Sequence, residues 1–199
     1  MNIYYAFLLT TVASFSTIIG GLFKFSKKNE KKIIILSAFI MIYLSIFELI
    51  PSSYNLLKIS FYLKGNILII LTSLNIGLIF SKYISKKTKN NIGLLAMIAL
   101  IVHNILEGII TFTTISYDLK LGFKLFLGIF IHNIPEGIIL STTNKKGLVI
   151  TGFSELLGAL ISYLFLTEFM NSMVIGILYS IVSGIMLYLS VEMIKASLK

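Results

Sequence analysis

The stretch IGLLAMIALIVHNILEGIITFTTISYDLKLGFKLFLGIFIHNIPEGIILS, residues 92–141, decides how this chain is read. It holds two apolar runs, 92–115 and 121–141, each long enough to cross a bilayer as a helix, joined by a short polar turn around Ser116 to Lys120. Near the middle of each run the same text recurs, HNILEGII at 103–110 and HNIPEGII at 132–139. Both histidines of the protein lie in these two motifs.

Further apolar runs near 3–23, 33–50, 66–81, 148–166 and 172–194 bring the predicted transmembrane helices to seven, the third being the shortest. With 57% hydrophobic and 13% charged residues in 199 positions, the chain carries more apolar surface than a soluble core of that size hides. The predicted class is an all-α integral membrane protein with one transmembrane domain over residues 1–199 and no soluble domain. No basic residue precedes the first run and no small-residue cleavage site follows it, so it reads as the first span and not as a removed signal peptide. The chain has no cysteine, which excludes disulfides and thiolate metal sites and leaves the redox compartment open.

A net charge of +9 would suit a nucleic-acid partner, but the basic residues are all lysines and nearly all fall between the apolar runs. Topology explains them better, and no nucleic acid is expected. Lys24, Lys27, Lys28, Lys31, Lys32, Lys82, Lys86, Lys87, Lys89, Lys145, Lys146, Lys195 and Lys199 fall on one side; Lys58, Lys64, Lys120 and Lys124 fall on the other. The positive-inside rule then places the N-terminus outside and the C-terminus in the cytoplasm of a plasma-membrane protein. Tyr4, Tyr5, Tyr54, Tyr62, Tyr83 and Tyr117 stand near span ends, as interface anchors do.

A second repeat pairs IMIYLS at 40–45 with IMLYLS at 185–190, each followed within three residues by a glutamate, Glu48 and Glu192. By the lysine count the second span runs outward and the seventh inward, which marks an inverted-topology repeat around a central hairpin of spans four and five. A partner of span three would then follow span seven, so one helix of the repeat is expected to be missing from a chain that stops at Lys199.

Glu107, Glu136 and Glu155 lie well inside their spans, where an ionised side chain costs about 2.5–3.5 kcal/mol and no lysine or arginine offers compensation. A bound cation or a proton must supply it. His103 and Glu107 are four apart and share a helix face, with Asn104 beside them, and His132, Asn133 and Glu136 repeat the arrangement. Counted from the turn at about 1.5 Å per residue, both motifs lie about 20 Å deep and meet near the midplane. Imidazole, carboxylate and amide oxygens suit zinc, iron(II), manganese or cobalt, and the lack of sulfur argues against copper(I). Glu107 and Glu136 could each bridge two ions. Pro135 leaves the Ile131 carbonyl without its usual donor and is expected to bend span five, while Gly108 and Gly137 allow close helix approach. The competing reading is that His and Asn serve only as interhelical hydrogen bonds. Glu48 and Glu192 read as lying toward the outer end of span two and the inner end of span seven, either solvated at the interface or marking the way in and the way out of a cation path. Glu168 and Asp118 read as loop acids.

These residues resemble the ZIP (Zrt-, Irt-like) divalent-metal transporters, particularly the bacterial ZupT-like branch. HNILEG and HNIPEG are similar to the family's fourth- and fifth-helix metal motifs, TGFSELLGAL at 151–160 to its sixth helix, and SIFELIP at 45–51 and the segment 184–194 to its second and seventh. The resemblance covers most of the chain. It implies a binuclear site, with one ion at His103, Glu107, His132 and Glu136, the other at Asn104, Asn133 and Glu155, and Glu107 and Glu136 bridging. It also implies import of zinc, or of iron, manganese, cobalt or cadmium, into the cytoplasm, commonly by homodimers with a bundle that moves against a scaffold. Leu106 stands where the branch often has proline, the loop at 82–91 lacks the histidines many members carry there, and the absent eighth helix bears on transport competence but not on the metal site.

The expected function is a permease that takes a divalent ion past Glu48, strips its water at the cluster and releases it past Glu155. With no phosphate-binding loop, the drive is expected to be the ion gradient, the membrane potential or proton exchange, and acid on the inner side is expected to speed release. The alternatives are a membrane metal binder that does not transport and a membrane metal-dependent hydrolase or oxidase. The second lacks an HExxH pair and has few histidines, and the chain is not expected to be an enzyme.

Overall fold

Long runs of Leu, Ile and Phe with good helix formers between them leave the backbone one way to satisfy its polar groups in lipid, which is to hydrogen-bond internally as helices. The computed structural model describes residues 2–23, 27–58, 63–88, 91–143, 145–166 and 171–198. Lys24, Tyr62, Lys89, Glu168 and Lys199 lie outside the described residues. The helices are α1 (Ile3–Leu22), α2 (Lys27–Leu44), α3 (Ile50–Leu57), α4 (Leu63–Lys87), α5 (Ile92–Tyr117), α6 (Leu119–Thr143), α7 (Lys145–Ile161) and α8 (Ser172–Leu198). A π-helical turn, Ser45–Leu49, fuses α2 to α3, and a second, Ser162–Leu166, continues α7. Counting α2 with α3, seven helices among the described residues are long and apolar enough to cross a membrane.

Two predicted boundaries change. Span two does not stop near residue 50 but runs to Leu57, because the π turn carries the helix past Pro51: the Ile50 N–H reaches back to the Ser45 carbonyl and Pro51 falls in the first turn of α3, where its missing N–H costs little. Span three is not the shortest; α4 has 25 residues, hidden in the sequence by Asn66, Thr72, Ser73 and Asn75 within it and by Lys82, Lys86 and Lys87 on its last turns. Long lysine stems reach the interface while their backbone stays helical. For the same reason Lys120, Lys124 and Lys195 belong to helices and not to loops.

The turn between α5 and α6 is reduced to Asp118, whose Oδ1 accepts from the Lys120 N–H at 2.9 Å. Asn91 and Asn171 cap α5 and α8 by accepting from the N–H groups of Leu94 and Val174, both at 3.1 Å. The interior is rich in small polar residues: Ser14, Ser16, Thr17, Ser45, Ser53, Thr111, Thr113, Ser180, Ser183 and Ser190 are buried. Leu68, Ile79 and Phe165 are more than 60% exposed on the outside. That inversion suits lipid, where helices gain little by hiding leucine and more by close approach and internal hydrogen bonds.

Close approach comes from three reciprocal glycine contacts. Gly20 of α1 faces the Ile134 carbonyl of α6, and Gly137 of α6 faces the Thr17 carbonyl of α1. Gly108 of α5 faces the Glu155 carbonyl of α7, and Gly158 of α7 faces the Ile105 carbonyl of α5. Gly77 of α4 and Gly184 of α8 do the same with the carbonyls of Ile181 and Leu74. The hairpin partners α5 and α6 do touch, but each packs more extensively on α7 and α1 respectively. Within its membrane-spanning window α5 is 67% buried against 22% for α4, so α5 is central and α4 peripheral.

Candidate metal centre

The four-residue spacing of each motif turns His and Glu to one face, and the crossing of α5 with α6 brings the two faces together. His103 Nε2 lies 3.1 Å from Glu107 Oε1 and 3.3 Å from Glu136 Oε1, and His132 Nε2 lies 2.9 Å from Glu107 Oε1. The imidazole centroids are 5.9 Å apart. One ligand atom each from His103, Glu107 and His132 fit within 4.8 Å of one another, a span over which one ion can be held. All four side chains are buried.

These approaches are ion pairs only where an imidazole carries a proton, and they do not have the directions of hydrogen bonds. Among the described residues, both nitrogens of His103, Nε2 of His132 and both oxygens of Glu107 and Glu136 have no partner in hydrogen-bond geometry. Buried polar atoms are nearly always hydrogen-bonded, and a convergent set of imidazoles and carboxylates without such bonds can be satisfied by a proton or by a cation held among them.

The asparagines form a second layer. Asn104 Nδ2 donates to the Thr151 carbonyl of α7 at 3.2 Å. Asn133 Nδ2 donates to the Ala13 carbonyl of α1 at 3.1 Å and to Glu155 Oε2 at 2.8 Å. Only the NH₂ end of an amide can donate to a carbonyl, so these contacts fix which way each amide points. The free atoms are then Asn104 Oδ1, Asn133 Oδ1 and Glu155 Oε1, all buried and unpartnered. The seven residues named from sequence thus form two adjoining layers on α5, α6 and α7, with α1 holding Asn133.

Glu48 stands apart from both layers, on the π turn, half-buried and well inside its span. The apolar run near 33–50 places Glu48 toward the end of span two; the helix continues to Leu57, so Glu48 lies well inside it. Glu48 lines a cavity of about 10 Å³ together with Glu107, His132, Gly128 and Tyr179. It also lines a much larger one, about 650 Å³, bounded by Ser52, Asn55, Thr113, Tyr117, Lys124 and Asn171. The large cavity is at the end of the bundle where the Asn2 N–H meets the Ser116 carbonyl, the N-terminal side. Glu192 is elsewhere: near the end of α8 its Oε1 accepts from Lys195 Nζ at 2.8 Å, an exposed pair three residues apart.

Sequence reading missed α1 and Gly128. A Cβ on Gly128 would come within 2.8 Å of Glu48 Oε1, so this glycine makes room for the carboxylate. For α1 a signal did exist: ASFSTIIG at 13–20 parallels TGFSELLG at 151–158.

Seven helices long and apolar enough to cross a membrane among the described residues, with imidazole, carboxylate and amide groups converging between them, define a polytopic membrane protein whose buried His/Glu group could hold a metal ion. No family model matches the chain. Among curated proteins it is 30% identical to the zinc transporter ZupT of Streptococcus mutans, across 96% of this chain and 86% of that protein. The zinc transporter ZupT of Clostridium perfringens is 29% identical over 96% of this chain and 85% of its own length, and that of Nitratidesulfovibrio vulgaris 38% over 53% and 42%. The chain belongs to the ZupT-like branch of the ZIP family.

Proposed function

We propose that this protein is a zinc transporter which passes the ion through the His/Asn/Glu layers, and that it is not an enzyme. The observation that carries the reading is the convergent set of buried, unpartnered donors on His103, Glu107, His132, Glu136, Asn104, Asn133 and Glu155. Similarity to proteins named zinc transporters supports zinc as the cargo.

The direction is import. Lysine asymmetry puts the N-terminal side outside, and the 650 Å³ cavity opens on that side. At about 30 Å³ per water that cavity holds on the order of 20 molecules, enough for an ion with its full shell. The 10 Å³ space beyond Glu48 has room for about one. An ion therefore keeps its water as far as Glu48 and exchanges it for Glu107 and His132 in the next step. Glu48 is the acid on the way in, and two ions share the layers with Glu107 and Glu136 between them. Glu155 and then Glu192 lie along the way out. Iron, manganese, cobalt and cadmium fit the same donors and are further candidate cargoes. A homodimer in the plasma membrane is the proposed assembly, on the strength of the family likeness.

The test is zinc uptake into proteoliposomes with an internal fluorescent indicator, comparing the native chain with a His132→Ala, Glu136→Ala double variant. Uptake in the native protein and none in the variant is the expected result. Zinc bound in detergent without any flux would replace this reading with that of a non-transporting binder.

A further inference from the structure

Given the reading of the cluster as the transport site, on which it rests, we propose that Thr17 of α1 is a further cation-facing oxygen donor of the asparagine layer, the uncharged counterpart of Glu155. In the paired segments ASFSTIIG (13–20) and TGFSELLG (151–158), Phe15, Ser16 and Gly20 match Phe153, Ser154 and Gly158, and Thr17 falls opposite Glu155. The structure repeats this pairing contact by contact.

Asn133 Nδ2 donates to the Ala13 carbonyl at 3.1 Å and Asn104 Nδ2 to the Thr151 carbonyl at 3.2 Å, and Ala13 and Thr151 are matched positions. Ser16 Oγ donates to the Ala13 carbonyl and Ser154 Oγ to the Thr151 carbonyl, both at 2.6 Å. Gly137 faces the Thr17 carbonyl as Gly108 faces that of Glu155. The rings of Phe15 and Phe153 meet edge-on at 6.2 Å, and Ser14 Oγ donates to the Gly152 carbonyl, where the two matched helices cross. A pseudo-two-fold axis therefore relates α1 and α6 to α7 and α5, and it carries the place of Glu155 onto Thr17.

With Thr111 and Thr151, Thr17 is one of three fully buried threonines whose hydroxyls make no hydrogen bond among the described residues, and its match to Glu155 sets it apart from the other two. Thr10, Thr11 and Thr113 each donate to the carbonyl four residues back, at 2.7, 2.6 and 2.7 Å. For Thr17 that acceptor is the Ala13 carbonyl, already engaged by Asn133 and Ser16. Thr17 is 0% exposed and its Oγ1 has no hydrogen-bond partner among the described residues. Its counterpart Glu155 also turns an unpartnered oxygen to the layer, with Asn104 Oδ1 and Asn133 Oδ1. A hydroxyl oxygen suits the oxygen-accepting divalent ions named above and adds no charge. A glutamate at both matched positions would put four carboxylates at the site; threonine leaves Glu107, Glu136 and Glu155, a weaker hold that favours release.

Because the chain has no cysteine, Thr17→Cys places a single thiol, of nearly the same size, at this position. Loaded with cobalt(II) in detergent, that variant should show a thiolate-to-cobalt charge-transfer band in the near ultraviolet that excess zinc removes. Cobalt bound, by equilibrium dialysis, without the band would overturn the assignment. Should Thr17→Cys fail to fold, zinc titration of Thr17→Val and Thr17→Ser decides: a loss of about 10–100-fold in affinity for Val with recovery in Ser is expected, on the scale of a supporting ligand. Val binding like the native protein would refute the role. A native protein that binds no zinc would instead refute the cluster reading beneath it, so the two failures are distinct.

Discussion

Glu107 receives both imidazoles on one oxygen, at 3.1 and 2.9 Å, and is the carboxylate that links the two histidines. Glu107→Gln should therefore weaken zinc binding by more than the 10–100-fold typical of outer-shell partners, as read by isothermal titration calorimetry. Glu192→Gln should leave affinity unchanged and stability within about 0.5 kcal/mol, because its pair with Lys195 is exposed and such pairs contribute little. Gly128→Ala separates binding from passage: a methyl 2.8 Å from Glu48 Oε1 displaces the carboxylate, so uptake should slow while calorimetric affinity at the cluster holds. The cluster was legible in the text because a spacing of four fixes a shared helix face. Gly128 and Thr17 were not, since one acts by the space it leaves and the other through a hydroxyl whose usual acceptor is taken by a residue on another helix.

Helix pairs position the layers, and carbonyl-on-glycine contacts set how close they come. At Gly108 a Cβ would strike the backbone of Glu155, which cannot yield without moving a donor residue. Gly108→Ala should cost about 1–3 kcal/mol, seen as a lower melting temperature in detergent, and should lower zinc affinity with it. Gly152→Ala meets first the flexible end of Ile18, at 2.8 Å, and should cost less. Span existence and type could be read from apolar runs alone. Their ends could not: Pro51 reads as a stop, yet the π turn Ser45–Leu49 absorbs it, and lysines on the last turns of α4 read as loop. Both errors arise because a local signal was outweighed by a helix that gains its stability across the whole membrane.

Taken together, the helices leave a large cavity on the N-terminal side, beside Glu48, and this makes the orientation testable. A single cysteine at Asn55 or Asn171 should react with a membrane-impermeant maleimide added outside intact cells, and one at Lys195 only in inverted vesicles. The reverse pattern would invert the proposed direction of transport. The amino-acid sequence by itself determined the membrane class, the number of spans and the shared face of His and Glu in each of the two repeated motifs, because apolar length and helical periodicity are local properties of the chain. Only the tertiary structure decided which carbonyls orient Asn104 and Asn133, how Glu48 lines both the large cavity and the small one that reaches His132, and that α1 stands to α6 as α7 stands to α5. Those facts depend on contacts between residues far apart in the chain, 47 positions for Asn104 with Thr151 and 120 for Asn133 with Ala13, and are set by which glycine meets which carbonyl when the helices pack.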